Sequence, residues 1–353
     1  MKKILAACTA AFMAAGILSS CSSQASQINS KSQAEAPSSS IAVKETEQES
    51  PNPEKPSDNS NDKTYKIGIV QLVEHDALDA SYRGFVDGLA EAGYYEGKNI
   101  VIDYQNAQGE QANCNTIATK LVNDKSDLIL AIATPAAQAV ANATKDIPIL
   151  VTAVTDPAIS KLVASNEAPG GNVTGTSDRT PNAEQIQLLT ELIPTAETIG
   201  LLYCSSEGNS KIQIDIAREE AEKLGLKTIE YTISDLNELQ QVMESMVGKV
   251  DAIYTPTDNK IASGMATVSM IATENKIPVI AGEGGMVENG ALASYGLDYY
   301  ELGKLTANQA VKILKDGASP ADMPIEYLGD FDFYSNDDIA NQLGITIPED
   351  LKK

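Results

Sequence analysis

The residues of this chain best placed to do chemistry are carboxylates at the ends of short apolar runs. Asp258 follows Ala252–Tyr254 and a Thr-Pro-Thr turn, Glu283 follows Pro278–Ile280, and Asp298 follows Ala291–Tyr295. A carboxylate drawn out of water at such a place needs a charge-assisted partner, and an ammonium group is the simplest one. One of the three is expected to take an amine, and residue type alone does not choose among them. Asp156, in Val154-Thr155-Asp156-Pro157, is a further candidate whose simpler role is a turn. Ala133-Thr134-Pro135-Ala136 offers the complementary chemistry. There a strand-like run ends, Thr134 can cap, and Pro135 suits the first helical position. The free N–H groups and partial positive charge of such a helix start suit a carboxylate, although an ordinary cap explains the pattern equally well.

Two more loops carry polar groups at equivalent places in the two halves of the chain. Glu74 and His75 follow Lys66–Gln71; Glu207, Asn209 and Ser210 follow Thr198–Tyr203. Each set can cap a helix or reach a ligand, and Asn259 stands beside Asp258 with the same choice. Leu72, Tyr299 and Tyr300 offer apolar or stacking surface, or else core packing.

What is missing narrows the chemistry. His75 is the only histidine, there is no G-x-S-x-G elbow, and no metal-ligand cluster is evident, so hydrolase chemistry has little to stand on and neither metal nor cofactor is implied. Gly84, Gly88, Gly93 and Gly97 do not make a nucleotide loop, and no GxxxxGK[ST] occurs; any ATP hydrolysis belongs to a partner. A net charge of -23 argues against nucleic acid.

The elements that must position these residues alternate. Ile100–Tyr104, Leu128–Ile132, Ile147–Val151 and Val173–Thr176 read as further strands, with helices over Leu78–Ala92, Gln111–Val122 and Pro135–Ala143. After a helix at Asn182–Leu192 the scheme restarts: Lys227–Tyr231 joins the second-half strands above, with helices at Asn209–Leu224, Leu236–Val247 and Ile261–Glu274. DLILAIATPAAQAVANATKDIPIL in one half and DAIYTPTDNKIASGMATVSMIATENKIPVI in the other share strand, Thr-Pro, helix and a final Ile-Pro. The fold class is therefore α/β, with two similar doubly wound parallel-sheet lobes. Ligands of such sheets bind beyond the carboxyl ends of the strands, where the candidate residues lie.

The first residues carry an address. Lys2 and Lys3 precede an apolar stretch, Ile4 to Leu18, too short to span a membrane as an ordinary helix. Leu18-Ser19-Ser20-Cys21 resembles the bacterial lipobox, which implies a signal peptide over 1–20, cleavage before Cys21 and lipidation of that cysteine. Residues 21–63, rich in Ser, Gln, Asn, Glu, Pro and Lys, are expected to form a disordered linker. Membrane attachment would then rest on the lipid alone. Cys114 and Cys204 fall in different lobes, which argues against a disulfide.

An ordered set of segments makes the reading specific. KIGIVQLVEHDALDASYRGFVDGLAEAGYYEGKNIVIDYQNAQG, IATPAAQA, VTDP, GGNVTGTSD, LYCSSEGNS, YTPTDN, GEGGMVENGALASYGLDYYELG and IANQLGITIPEDL run through residues 65–351. Together they resemble the ABC transporter substrate-binding family that includes tryptophan- and tyrosine-binding lipoproteins. The resemblance implies a type I periplasmic-binding-protein fold, with hinge strands joining lobe 1 (64–176 plus 299–329) to lobe 2 (177–298 plus 330–353). Crossings are expected near Thr174–Asp178, Ala293–Asp298 and Leu328–Phe331. It also implies a place on the cell membrane facing outside the cytoplasm, a small ligand, best an aromatic amino acid, held in the cleft where the Glu74 and Glu207 loops face each other, and an ABC permease with its ATPase subunit as partners. A branched-chain amino acid, nucleoside or sugar is the alternative ligand, and a signalling kinase the alternative output.

Overall fold

A computed structural model describes residues 63–352. The expected signal segment, Cys21 and the linker through residue 62 lie outside the described residues. The chain first forms β1 (Tyr65–Gln71), α1 (Asp76–Glu91), β2 (Ile100–Asn106), α2 (Gln111–Asn123), β3 (Leu128–Ile132), α3 (Thr134–Ala143), β4 (Ile149–Val154) and β5 (Val173–Ser177). It continues with α4 (Asn182–Leu192), β6 (Thr198–Cys204), α5 (Gly208–Lys223), β7 (Lys227–Ile233), α6 (Leu239–Met246) and β8 (Ala252–Thr255). Then come α7 (Asn259–Ser263), α8 (Met265–Glu274), β9 (Val279–Ala281), α9 (Gly284–Glu288), β10 (Ala293–Gly296) and α10 (Tyr299–Asp316). The last elements are β11 (Glu326–Tyr327), β12 (Asp332–Ser335) and α11 (Asp337–Leu343).

Two six-stranded sheets result, ordered β11-β5-β4-β3-β1-β2 and β12-β10-β9-β8-β6-β7. Every residue of β3, β4, β5 and β8 is buried, the signature of strands covered by helices on both faces. The first sheet is parallel throughout. The second departs from expectation at one edge, where β12 runs antiparallel to β10. The reason is topological. β11 runs parallel to β5 toward the cleft, so a chain crossing from there enters the second lobe at its cleft side and can only run away from it.

The chain passes between sheets three times: after β5, after β10 and after β11. The second passage delivers α10 back to the first lobe, where it lies along α1. That contact explains the glycines of α1. A Cβ at Gly84 would collide with the Tyr300 carbonyl, and one at Gly88 would sit 2.7 Å from the Ala307 methyl. Tight helix packing, not a phosphate loop, is what they serve. The helix expected over Ile261–Glu274 is broken at Gly264, where a Cβ would come within 2.5 Å of Leu239 Cδ2. It also starts earlier, at Asn259, with Asp258 as its cap.

Candidate functional site

The carboxyl ends of β1, β5, β8 and β9, together with the starts of α1, α7, α9 and α10, converge between the lobes. A small cavity lies there. His75 and Leu78 line it from the first lobe, Asp178 and Tyr299 from two of the crossings, and Thr257, Asp258, Asn259, Ala262, Glu283 and Met286 from the second lobe. The space it encloses is about 10 Å³, room for roughly one water, so an amino acid enters only if the lobes part. Glu283 and Tyr299 also line a wider depression of about 340 Å³ just outside, with Asp76, Arg83, Glu288, Asp298 and Tyr334.

Hydrogen bonds close the lobes on each other. His75 Nε2 lies 3.2 Å from Asn259 Oδ1, Asn289 donates to Asp76 at 2.6 Å, and Gln213 donates to Thr155 Oγ1 at 3.3 Å.

The sequence-predicted residues fall into three groups. His75, Asp258, Asn259 and Glu283 line the cavity. Glu207, Asn209 and Ser210 form the layer behind it. Glu207 accepts from the Asn259 side chain at 2.5 Å and the Lys260 amide at 2.9 Å; Ser210 donates to Asp258 at 2.7 Å, and Asn209 to the Thr257 carbonyl at 3.2 Å. Four expected residues are elsewhere. Glu74 is exposed, Asp298 is exposed and caps α10 through the amides of Tyr300 and Glu301, and Thr134 and Pro135 are buried at the start of α3 outside the cavity lining. Tyr300 points its hydroxyl to Asp87, and Leu72 is core. Asp156 accepts from the Ile159 amide in a turn.

Most of the buried charge is already engaged. Asp258 accepts from the Cys204 amide at 2.6 Å, the Ile261 amide at 2.9 Å and the Ser210 hydroxyl. Glu283 accepts from the amides of Gly285 and Met286, capping α9, and burial pushes its carboxyl up to about 7. Glu207 and Asp258 are both raised, chiefly by burial and, for Glu207, next by the charge of Asp258. Burial lowers the His75 pKa, so the ring is neutral at pH 7.

Asp178 is the cavity carboxylate that sequence reading placed only at a crossing. It is 4 % exposed, accepts from Tyr299 Oη at 2.8 Å through Oδ2, and is pushed up to about 6 by burial. The available signal was its place, one residue past β5 in Gly-Thr-Ser-Asp. Among the described residues no Lys or Arg lines the cavity, so its carboxylates have hydrogen-bond donors but no counter-cation from the protein.

The family model described as ABC transporter substrate binding protein matches residues 66–353. A tyrosine-binding protein of Clostridioides difficile is 48% identical over 281 residues, 80% of this chain and 81% of the relative. The crystal structure of an ABC domain in complex with L-Trp, from Streptococcus pneumoniae, is 43% identical with a TM-score of 0.79, covering 82% of this chain and 98% of that one. The ligand-free, open structure of a substrate-binding protein with adhesive properties from Clostridium difficile is 52% identical but scores 0.62, covering 81% and 96%. The less identical neighbour has the better matching shape, as expected if lobe closure dominates the score.

Proposed function

Because this chain belongs to the ABC transporter substrate-binding protein family, we propose that it captures an aromatic amino acid between its lobes and presents the closed form to an importer. The observation that carries the reading is the interlobe cavity, whose buried carboxylates have no cation of their own and whose Leu78, Met286 and Tyr299 offer apolar walls. An ammonium answers the first property and a ring the second. The start of α1, whose cap His75 makes no side-chain bond to the helix, lies on the same wall and suits the ligand's carboxylate. The names of the tyrosine-binding relative and the L-Trp complex point the same way.

Ligand selects the closed arrangement by touching both lobes, and the lobe surfaces thus brought together form the face that a permease reads. The protein performs no chemistry on its cargo. Cys21 carries the lipid that holds it outside the cytoplasm, and the ATPase belongs to the permease complex. Calorimetric titration of the full chain with the twenty amino acids, a nucleoside and a simple sugar tests the ligand class. Micromolar or tighter binding confined to tyrosine, tryptophan or phenylalanine is the expected result, and binding of the sugar or nucleoside alone would refute it. Loss of radiolabelled fatty-acid incorporation in Cys21→Ser tests the anchor.

A further inference from the structure

Two atoms that belong to cavity-lining side chains are buried without a hydrogen-bond partner: Asp178 Oδ1 and His75 Nδ1. Both accept. For Asp178 this follows from ionisation. For His75 it follows from the neighbours. Asn259 Nδ2 donates to Glu207 Oε2, which turns Asn259 Oδ1 toward the imidazole. Nε2 must then carry the proton, leaving Nδ1 of the neutral ring as a lone-pair acceptor.

The competing carboxylates are occupied. Asp258 holds the Cys204 amide at the end of β6 with one oxygen and the Ile261 amide of α7 with the other, both oxygens of Glu283 hold amides at the start of α9, and Asp298 stands outside the cavity with Oδ1 on the start of α10. Asp178 spends one oxygen on the Tyr299 hydroxyl; its Oδ1 has no partner in hydrogen-bond geometry, with the Thr155 hydroxyl, which accepts from Gln213, beside the carboxyl. Its position adds a mechanical argument. Asp178 follows β5 at the first crossing and Tyr299 opens α10 after the second, so their hydrogen bond ties two crossings together.

We propose that Asp178 binds the ligand's ammonium and that His75 Nδ1 accepts from a donor on the ligand's ring, so that the protein selects tyrosine and tryptophan over phenylalanine. This rests on the amino-acid reading above and deepens it. A ligand without a ring donor leaves His75 Nδ1 buried and unpaired, a penalty that discriminates more strongly than a mismatch of apolar size. Leu78, Ala262 and Met286 supply the apolar wall that keeps the donor on a ring rather than on a short polar side chain.

The test is calorimetric titration of the full chain with L-tyrosine, L-tryptophan, L-phenylalanine and 3-(4-hydroxyphenyl)propionate, which is tyrosine without its amine. The wild-type protein should bind phenylalanine about tenfold more weakly than tyrosine, and the deaminated analogue about a hundredfold more weakly. Asp178→Asn keeps an acceptor for Tyr299 yet should lose about a hundredfold toward tyrosine and no longer distinguish it from the analogue. His75→Leu also breaks the bond to Asn259 and weakens all ligands, so the readout is the ratio: tyrosine and phenylalanine should become equal. Equal wild-type affinity for tyrosine and phenylalanine would overturn the His75 assignment. Wild-type tyrosine affinity in Asp178→Asn would overturn the Asp178 assignment while leaving the amino-acid reading intact. Silence of the wild-type protein toward every aromatic amino acid overturns that reading and this one with it. The ligand-side comparison needs no variant, so it decides even if a substituted chain fails to fold.

Discussion

The two matched segments, one in each lobe, begin with the same pattern and end in different roles. In the first, Ile132 and Ala133 lead directly into Thr134-Pro135, Ala133 takes a positive φ of +82° with an extended ψ of 153°, and α3 starts at once, outside the cavity lining. In the second, Thr255-Pro256 is followed by Thr257-Asp258 before α7, and those extra residues build part of the cavity wall. Capping differs in the same sense. No side chain caps α1, α2 or α3, whereas in the second lobe Asp258 and Glu283 each cap the helix they precede, although α5 there is uncapped and Asp298 caps α10 of the first lobe. The buried carboxylates lining the cavity are therefore of two kinds, Asp258 and Glu283 with both oxygens on backbone amides, and Asp178, whose Oδ1 has no partner. A helix start that needs its carboxylate cannot also lend it to a ligand.

Substitution should separate the two kinds by the sign of the stability change. Asp258→Ala strands the Cys204 and Ile261 amides and the Ser210 hydroxyl in a buried place, and is expected to cost about 3 kcal/mol in urea unfolding of the ligand-free protein. Asp178→Asn should do the opposite. It removes a buried charge while keeping an acceptor for Tyr299, and at pH 8 should stabilise by about 2 kcal/mol while abolishing tight binding. Destabilisation by Asp178→Asn would mean that this carboxylate, too, is a scaffold.

The pH dependence follows from the same burial. The folded-state pKa of Asp178, about 6, and of Glu283, about 7, both lie above the ordinary carboxyl range. Groups raised in this way make the folded state bind more protons than the unfolded state between about pH 4 and pH 7. Each costs about 3 kcal/mol when fully ionised, a penalty absent below pH 4 and complete above pH 8. The ligand-free protein should melt higher at pH 5.5 than at pH 8. Tyrosine affinity should run the other way and weaken below pH 6, as Asp178 protonates. A shallower melting profile in Asp178→Asn/Glu283→Gln than in the parent would locate the effect, the remaining slope belonging to Glu207 and Asp258, which burial also raises.

The sequence made the lobes legible because strand and helix periods and a repeated segment are local signals. Helix breaks and strand direction at the edge were less so. Gly264 interrupts a helix because of Leu239, a neighbour in space, and the direction of β12 is set by where the chain re-enters the second lobe. Among site residues, type and position found Asp258, Glu283, Asn259 and His75. They could not rank them, since which oxygen stays free depends on amides contributed by other segments. Cys204 N on Asp258 is one such contact, 54 residues away. Asp178 was visible only as a crossing residue for the same reason.

Thr134 gives the smallest effect and the cleanest contrast. Its hydroxyl is buried with no partner, a polar group whose desolvation nothing repays. If the α3 start is ordinary scaffold, Thr134→Val keeps the volume, removes the stranded hydroxyl, and should stabilise the protein by about 1 kcal/mol. Tyrosine affinity should stay within about twofold, because the residue lies outside the cavity lining. If instead the Thr134 hydroxyl serves the ligand's carboxylate when the lobes move, the same change leaves stability slightly raised but costs about tenfold or more in affinity. The two lobes would then share the work, amine at Asp178 and carboxylate at α3, and the difference between the matched segments would belong to the closed arrangement alone.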